Sequence, residues 1–212
     1  MTGRFISLEG SEGCGKSTQA QLLCRRLEAA GLEVLTTREP GGTPTGEMIR
    51  NILQHHASGE AIAPEAEVLL FAASRAQLLA HVIRPALARG AWVICDRFVD
   101  SSLAYQGVAR GLGVDRVLAA NEVALAGLWP DLTLWFDLPA AAARQRVDDR
   151  GQTPDRFESE HQDFHQRVAE AYAQLAKRFP ERITAIPADA PPETVSEHVW
   201  SVVRPLLQVA AS

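Results

Sequence analysis

A glycine-rich stretch early in the sequence has the residue types and spacing of a phosphate-binding loop. Residues Gly10–Ser17, GSEGCGKS, match the pattern G-x-x-x-x-G-K-[ST]. In such a loop, backbone N–H groups turn toward a polyphosphate, Lys16 reaches the β- and γ-phosphates, and the Ser17 hydroxyl ligates Mg²⁺. The pattern therefore predicts a nucleoside triphosphate site. Glu12 is unusual there, because it adds a negative charge to a loop that must hold anions.

Two more motifs provide a carboxylate and two arginines at the ends of predicted strands. Asp96 ends the apolar run AWVICD and Arg97 follows it, while Arg38 lies in TREPGGT. The carboxyl ends of parallel strands meet where α/β proteins bind ligands, so we expect these side chains near the loop. There, Asp96 would hold Mg²⁺ directly or through water, and the arginines would bind phosphate. Each motif alone also fits an ordinary surface turn with exposed charges.

Phe71 and Arg75 are four residues apart on a predicted helix and therefore share a face. A phenyl ring beside a guanidinium suits a flat polar heterocycle, because the ring stacks and the guanidinium donates to carbonyls. The same spacing, continued by Val68 and Leu78, is equally typical of a buried core. Spacing alone leaves both interpretations open.

A group of arginines lies at the end of a predicted helix and in the polar stretch after it, namely Arg144, Arg146, Arg150 and Arg156. A flexible segment carrying guanidinium groups could close over a transferring phosphoryl group. The aspartates interleaved with them also allow a solvated charged surface. We expect a mobile lid at about 146–158.

The elements that position these residues alternate between strands and helices along the chain. Strands are predicted at 4–9, 33–39, 91–96, 131–138 and 182–188, and most of them are continuous apolar runs. Helical patterns fall between them, at about 16–30, 45–56, 64–89, 101–107, 114–126, 160–179 and 191–209, with one more after the fourth strand. This alternation predicts an α/β fold, a parallel sheet covered by helices on both faces. No linker or repeat divides the chain, so we expect a single domain over 1–212.

Composition excludes several other classes of protein. The net charge of −5 argues against general nucleic-acid binding. Three cysteines without paired spacing predict neither a disulfide framework nor a metal site, and the six histidines show no metal-ligand pattern. We see no secretory signal and no uninterrupted run of about 18 apolar residues, so we expect a cytoplasmic protein without a membrane span.

Taken together, the motifs resemble the thymidylate kinase family. They occur in family order over about residues 5–160: LEGSEGCGKST, TREPGGTPTGE, FAASRAQ, DRFVDSSLAYQG, PDLTLWFDL and DRFESE. The resemblance implies the nucleoside monophosphate kinase architecture of the P-loop NTPases, with a short lid. It also implies Mg²⁺-dependent transfer of the γ-phosphoryl group of ATP to dTMP in dTTP biosynthesis, and a homodimer.

The resemblance further implies which residues contact each substrate. It assigns ATP to the loop residues Gly10, Ser11, Glu12, Gly13, Cys14, Gly15, Lys16, Ser17 and Thr18. It assigns dTMP to Glu12, Arg38, Glu39, Pro40, Phe71, Arg75, Arg97, Ser102, Tyr105 and Gln106. In this assignment Phe71 stacks on thymine and Arg75 donates to its carbonyl edge. Tyr105 packs where a 2′-hydroxyl would clash, and Glu12 contacts the 3′-hydroxyl.

The source of the catalytic arginine follows from the same resemblance. Some family members carry it in the phosphate loop, which has none here, whereas the bacterial type takes it from the lid. Arg150 and Arg156 are therefore the candidates, beside Lys16 and Arg97.

Three other functions are alternatives to phosphorylation of dTMP. Another nucleoside monophosphate kinase would share the fold. A non-enzymatic ATP-dependent switch is disfavoured, because the TREPGG and DRF arginines are suited to a second phosphate. A GTPase is disfavoured because the D-x-x-G at 148–151 does not follow a strand and no N-K-x-D occurs.

Overall fold

The computed structural model describes residues 2–55, 60–149 and 155–209. Within these ranges five strands form one sheet in which every neighbouring pair is parallel, in the order β2-β3-β1-β4-β5. The strands are Phe5–Glu9 (β1), Val34–Arg38 (β2), Trp92–Asp96 (β3), Leu132–Asp137 (β4) and Ile183–Pro187 (β5). The predicted fold class is confirmed, and each predicted strand is found within one residue of its expected bounds.

Helices connect the strands. They are Lys16–Ala29 (α1), Pro44–His55 (α2), Pro64–Leu78 (α3), Arg84–Ala88 (α4), Val99–Ser102 (α5), Val114–Leu125 (α6), Ala140–Asp148 (α7), Gln162–Arg178 (α8) and Pro192–Val209 (α9). The predicted helix at 64–89 is continuous, but a π-helical segment, Leu79–Ile83, joins α3 to α4. A second π-helical segment, Leu103–Ala109, continues α5. Because π-helical turns are uncommon and often lie at functional sites, the second segment draws attention to Tyr105 and Gln106.

The two faces of the sheet bury different helices. On β1, Ile6 and Leu8 face the cluster that α1 and α9 cover, whereas Phe5 faces α3, α4 and α5. Helix α8 and the π-helical segment 103–109 form a further cluster with α6. This alternation along a central strand is why its sequence is a continuous apolar run.

One described helical stretch, Pro64–Ala88, is long and apolar enough to cross a membrane by length and composition alone. Arg75 and Gln77 interrupt the run of apolar residues within it. Its packing accounts for its apolar character, since Val68 and Leu78 are buried in the core and α3 packs against α2 and α6. The core helix of a globular protein passes the same composition test.

The sheet order places the chemistry-bearing motifs at one edge. β3 pairs with both β1 and β2, and Asp96 lies opposite Leu8 on one side and Arg38 on the other. The phosphate loop follows β1 directly. The loop, the Asp96 carboxylate and Arg38 therefore meet at the carboxyl ends of three adjacent strands, where ligands bind in α/β sheets.

Candidate active site

The loop after β1 requires glycine where the neighbouring backbone comes close. Gly13 has φ +81°, and a Cβ there would lie 2.3 Å from the carbonyl oxygen of Ala143. Any side chain would therefore push α7 away from the loop, besides adopting a backbone conformation that L-residues disfavour. The sequence pattern thus encodes both the shape of the loop and its contact with α7.

Lys16, the first residue of α1, is buried beneath the loop. Its Nζ donates to the carbonyl oxygens of Gly10 and Ser11, at 3.2 and 2.9 Å. Burial and the nearby Arg97 both act to lower the pKa of Lys16, but the surrounding anionic groups, including Glu12, outweigh them and raise it. Lys16 therefore carries its positive charge at neutral pH, as phosphate binding requires.

Ser17 and Asp96 form an oxygen pair at the cleft. The Ser17 hydroxyl donates to Oδ2 of Asp96 at 3.0 Å. One hydroxyl and one carboxylate suit Mg²⁺, which commonly takes few protein ligands and completes its shell with water and substrate phosphates. The described residues contain no group of three or more His, Cys, Asp or Glu side chains arranged to hold a metal, so a dedicated all-protein cage is not what they offer.

Arg97 occupies the centre of the site in a left-handed backbone conformation, with φ +69°. Its guanidinium donates to Oε1 of Glu12 at 2.7 Å, to the Gly10 carbonyl at 2.9 Å and to the Ser101 hydroxyl at 3.1 Å. Burial alone would lower the pKa of Arg97, but Tyr105 and Glu12 raise it well above its ordinary value. The carboxylate in the phosphate loop is therefore paired with an arginine across the cleft.

A second basic region follows β2. One nitrogen of Arg38, Nη2, lies 2.9 Å from both carboxylate oxygens of Glu47, and the peptide bond Glu39-Pro40 is cis. Arg50, which sequence reasoning missed, donates to the Pro40 carbonyl at 3.0 Å and lines the cleft. Burial and the neighbouring Arg38 lower the pKa of Arg50.

The floor of the cleft contains a buried ion pair. Arg75 donates to Glu39 at 2.5 Å and to the Ser102 hydroxyl at 3.1 Å, and also to the side-chain oxygen of Asn121. Burial raises the pKa of Glu39 to about 7, although Arg75 opposes the rise. Arg75 lies beneath the lining, while Glu39 and Ser102 form part of it.

The cleft encloses a cavity of about 270 Å³. It brings together most of the residues that the sequence predicted, namely Glu12, Gly13, Gly15, Lys16, Ser17, Thr18, Arg38, Glu39, Pro40, Phe71, Asp96, Arg97, Ser102, Tyr105 and Gln106. It adds five that were missed: Arg50, Gln54, Ser101, Asp155 and Phe157. Asp155 and Phe157 lie in the DRFESE motif and could have been found from it, whereas nothing in the local sequence distinguishes the two α2 residues.

A second cavity, of about 600 Å³, lies on the other side of the loop. Gly13, Gly15 and Thr18 line both cavities, and Arg146 and residues 188–192 complete the second. Of the other predicted loop residues, Cys14 lines the second cavity and Ser11 a smaller one beside α7, while Gly10 is beneath Lys16 and Arg97. The loop thus lies between two spaces, as a transfer between two ligands requires.

Of the two lid arginines, Arg156 lies in the described part of the chain. Arg150 lies outside the described residues, together with the rest of 150–154. Arg156 donates to Oε2 of Glu67 at 2.5 Å and to the Leu53 carbonyl at 2.8 Å, and it is absent from the described lining of the cleft. The structure does not bring Arg156 to the phosphate loop, and its catalytic role stays a prediction.

Comparison with known proteins identifies the family. The family model described as thymidylate kinase matches residues 8–199. The chain belongs to the thymidylate kinase family. A thymidylate kinase of Alkalilimnicola ehrlichii is 50% identical over 193 residues, which cover 91% of this chain and 88% of the relative. One from Pseudomonas fluorescens is 50% identical over 210 residues and 99% of each chain.

A solved structure supports the same assignment at the level of the fold. The thymidylate kinase of Ehrlichia chaffeensis superposes with a TM-score of 0.78 at 32% identity, over 96% of this chain and 100% of that one. Membership of the thymidylate kinase family confirms the resemblance seen in the sequence motifs. It also confirms the predicted enzyme class, a nucleoside monophosphate kinase, over a non-enzymatic switch.

Proposed function

We propose that this chain transfers the γ-phosphoryl group of ATP to dTMP across the phosphate loop, giving ADP and dTDP. The family assignment confirms the predicted activity and favours no other acceptor. One observation carries the placement of the reaction: the same loop lines two cavities, and of these two the first is lined by aromatic side chains and buried polar residues, whereas the described lining of the second contains no aromatic side chain. dTMP occupies this first cavity, and the ATP base occupies the second.

The dTMP half of the site matches a pyrimidine monophosphate. Phe71 lines the cavity and supplies a ring for stacking on the base. Arg97 and Arg38 are the cations for its phosphate, and the guanidinium fork suits two phosphate oxygens at once. Tyr105, whose hydroxyl is 3.3 Å from an Arg97 nitrogen, packs beside the sugar.

The ATP half of the site must position the phosphates and neutralise their charge, and the transfer requires little covalent chemistry from the protein. Lys16 and the loop N–H groups bind the β- and γ-phosphates, while Ser17 and Asp96 would hold Mg²⁺. When bound there, Mg²⁺ would supply positive charge to the phosphoryl oxygens. Lys16 and Arg97 both donate to the Gly10 carbonyl, so their positive charges converge at the loop. There they would position the phosphates and lower the electrostatic barrier to transfer.

The lid provides one further cation in this scheme. Arg156 is held by Glu67, so we assign the catalytic charge to Arg150 first. A lid arginine that reaches the transition state contributes roughly 10³-fold to kcat, by analogy with arginine fingers.

We also infer a homodimer acting in the cytoplasm. Met48 and Ile52 on α2, Leu69 on α3 and Val123 on α6 are large apolar side chains exposed on the described surface. Helices α2 and α6 both pack against α3, and exposed patches of apolar residues mark contacts between proteins. Sedimentation equilibrium tests the dimer, and a monomer at micromolar concentration would contradict it.

The decisive experiment for the reaction is coupled ADP release with ATP, Mg²⁺ and a panel of monophosphates: dTMP, dUMP, dCMP, dGMP and dAMP. We expect the highest kcat/KM with dTMP. Equal or faster turnover of a purine monophosphate or dCMP would overturn the proposal. Residual ATP hydrolysis without any acceptor is measured in parallel, so that transfer is separated from leakage to water.

A further inference from the structure

Glu67 is a buried carboxylate to which the proposed reaction gives no role. It lies in the first turn of α3, and its side chain is 1% exposed. Three donors surround it: Gln106 Nε2 at 2.7 Å, Arg156 Nη2 at 2.5 Å and, more weakly, Arg110 Nε at 3.5 Å. Burying a carboxylate is costly without such partners, so the arrangement calls for an explanation.

The contact with Gln106 fixes which end of its amide faces the cleft. A side-chain amide has a donor end and an acceptor end of nearly the same shape, and a carboxylate can only accept. Glu67 therefore accepts from the NH₂ group of Gln106, so that Oε1 of Gln106 points away from Glu67. Gln106 lines the cavity that also contains Phe71, and its Oε1 is buried without a donor among the residues that the structure describes.

The two arginines make this orientation firm. Arg156 holds Oε2 of Glu67, the oxygen that does not accept from Gln106, and Arg110 reaches Oε1 beside Gln106 at 3.5 Å. Arg110 is itself paired with Glu160 at 2.6 Å. A rigidly oriented acceptor discriminates more sharply than one that can rotate, because a mismatched ligand cannot re-pair it.

We propose that Glu67 is a positioning residue that selects the base by orienting the Gln106 amide. The inference rests on the proposed function. Thymine and uracil carry a ring N–H at N3, which can donate to Gln106 Oε1. Cytosine has a lone pair at N3, so its N3 and Gln106 Oε1 would face each other with no proton between them. Glu67, which contacts no substrate, thereby favours dTMP and dUMP over dCMP.

The test is Glu67→Gln, with kcat/KM measured for dTMP, dUMP and dCMP. The new amide still accepts from Arg156 through its oxygen, and its NH₂ group then donates to Gln106 Oε1. The Gln106 amide turns round and presents a donor to the base. We expect the ratio of kcat/KM for dTMP over dCMP to fall by about 10- to 100-fold, the size expected when a buried polar group is left without its hydrogen bond.

Two comparisons separate orientation from a general loss of activity. The ratio of dTMP over dUMP should stay within about twofold, because both bases carry the same N–H. Glu65→Gln, on the same helix turn but 56% exposed and paired only loosely with Arg116 at 3.6 Å, is the matched control and should leave every ratio unchanged.

Two results would contradict a role of Glu67 in selecting the base. If Glu67→Gln is folded and all three substrates fall equally, Glu67 is merely structural. Should that variant not fold, Glu67→Asp carries the test, since it keeps the charge for Arg156 but withdraws the acceptor from Gln106 by one methylene. Its dTMP over dCMP ratio must also fall. If the unaltered enzyme does not phosphorylate dTMP at all, the proposed function fails instead.

Discussion

Replacing Arg156 with alanine should destabilise the fold far more than it slows the reaction. Arg156 joins the last part of the predicted lid to α2 through the Leu53 carbonyl and to α3 through Glu67. It also lies 4.5 Å from the centre of the Phe157 ring, which lines the cleft. The substitution removes all three contacts and leaves the Glu67 carboxylate with Gln106 and a distant Arg110.

The size of the effect follows from burial. Removing one member of a fully buried ion pair costs about 3–5 kcal/mol. Arg156 is 27% exposed and Arg110 still reaches Glu67, so we expect a loss of about 2 kcal/mol. For a chain of this length that corresponds to a fall in Tm of about 4–8 °C.

The assay combines urea unfolding with steady-state kinetics at 25 °C. Arg89→Ala is the control, because Arg89 forms an exposed ion pair with Glu33 and should cost under about 1 kcal/mol. We expect kcat of folded Arg156→Ala to fall less than about tenfold. A normal unfolding free energy together with a fall in kcat of about 10³-fold would refute the reasoning and make Arg156 the catalytic lid arginine.

Four shorter predictions address the rest of the site. Lys16→Ala should abolish turnover in the coupled assay, and an active variant would contradict the ATP site. Arg150→Ala should lower kcat far more than it raises the KM for dTMP, whereas a near-normal kcat would remove Arg150 from the mechanism. Glu12→Gln should weaken dTMP binding more than ATP binding in calorimetry, because Glu12 orients Arg97 at 2.7 Å and faces the acceptor; the reverse order would undo that assignment. Burial raises the pKa of Glu39 from 4.5 to about 7, so between these values the folded chain keeps a proton that the unfolded chain has released. Wild-type unfolding free energy should therefore fall by up to about 3 kcal/mol as pH rises from 4.5 to 7. Glu39→Gln should lose this part of the pH dependence, and identical pH profiles would argue against the raised pKa.

Features that depend on local sequence were predictable. The glycine loop, Lys16 and Ser17 follow one another in the chain, so their relative positions are set by a strand, a turn and a helix. The positions of Asp96 and Arg38 follow from one further rule, that the carboxyl ends of parallel strands meet at the same edge of the sheet. The continuous apolar runs located the strands closely because a sheet covered on both faces allows no polar alternation.

Features that depend on packing between distant segments were not predictable. Glu67 is typical of an exposed first turn of a helix, and only the fold brings Arg156 and Gln106 to it. The spacing of Arg75 with Phe71 left open whether it lies in the core or at the ligand, and the family resemblance assigned it to the base. In the structure its guanidinium is buried against Glu39 and reaches the cleft through its partners. Helical spacing predicts the side of the helix on which a residue lies, whereas the burial of its side chain depends on which elements cover it.

The strand order has a consequence for how the enzyme is made in the cell. β1 lies at the centre of the sheet, but both of its neighbours, β3 and β4, are translated long after it. A ribosome adds about 5–20 residues per second, so several seconds separate the synthesis of β1 from that of Asp96. During that interval β1 has no neighbouring strand, and the Ser17 hydroxyl lacks its partner, the Asp96 carboxylate. The nascent chain therefore exposes the apolar β1, and its triphosphate site is incomplete, until more than 90 residues have been made.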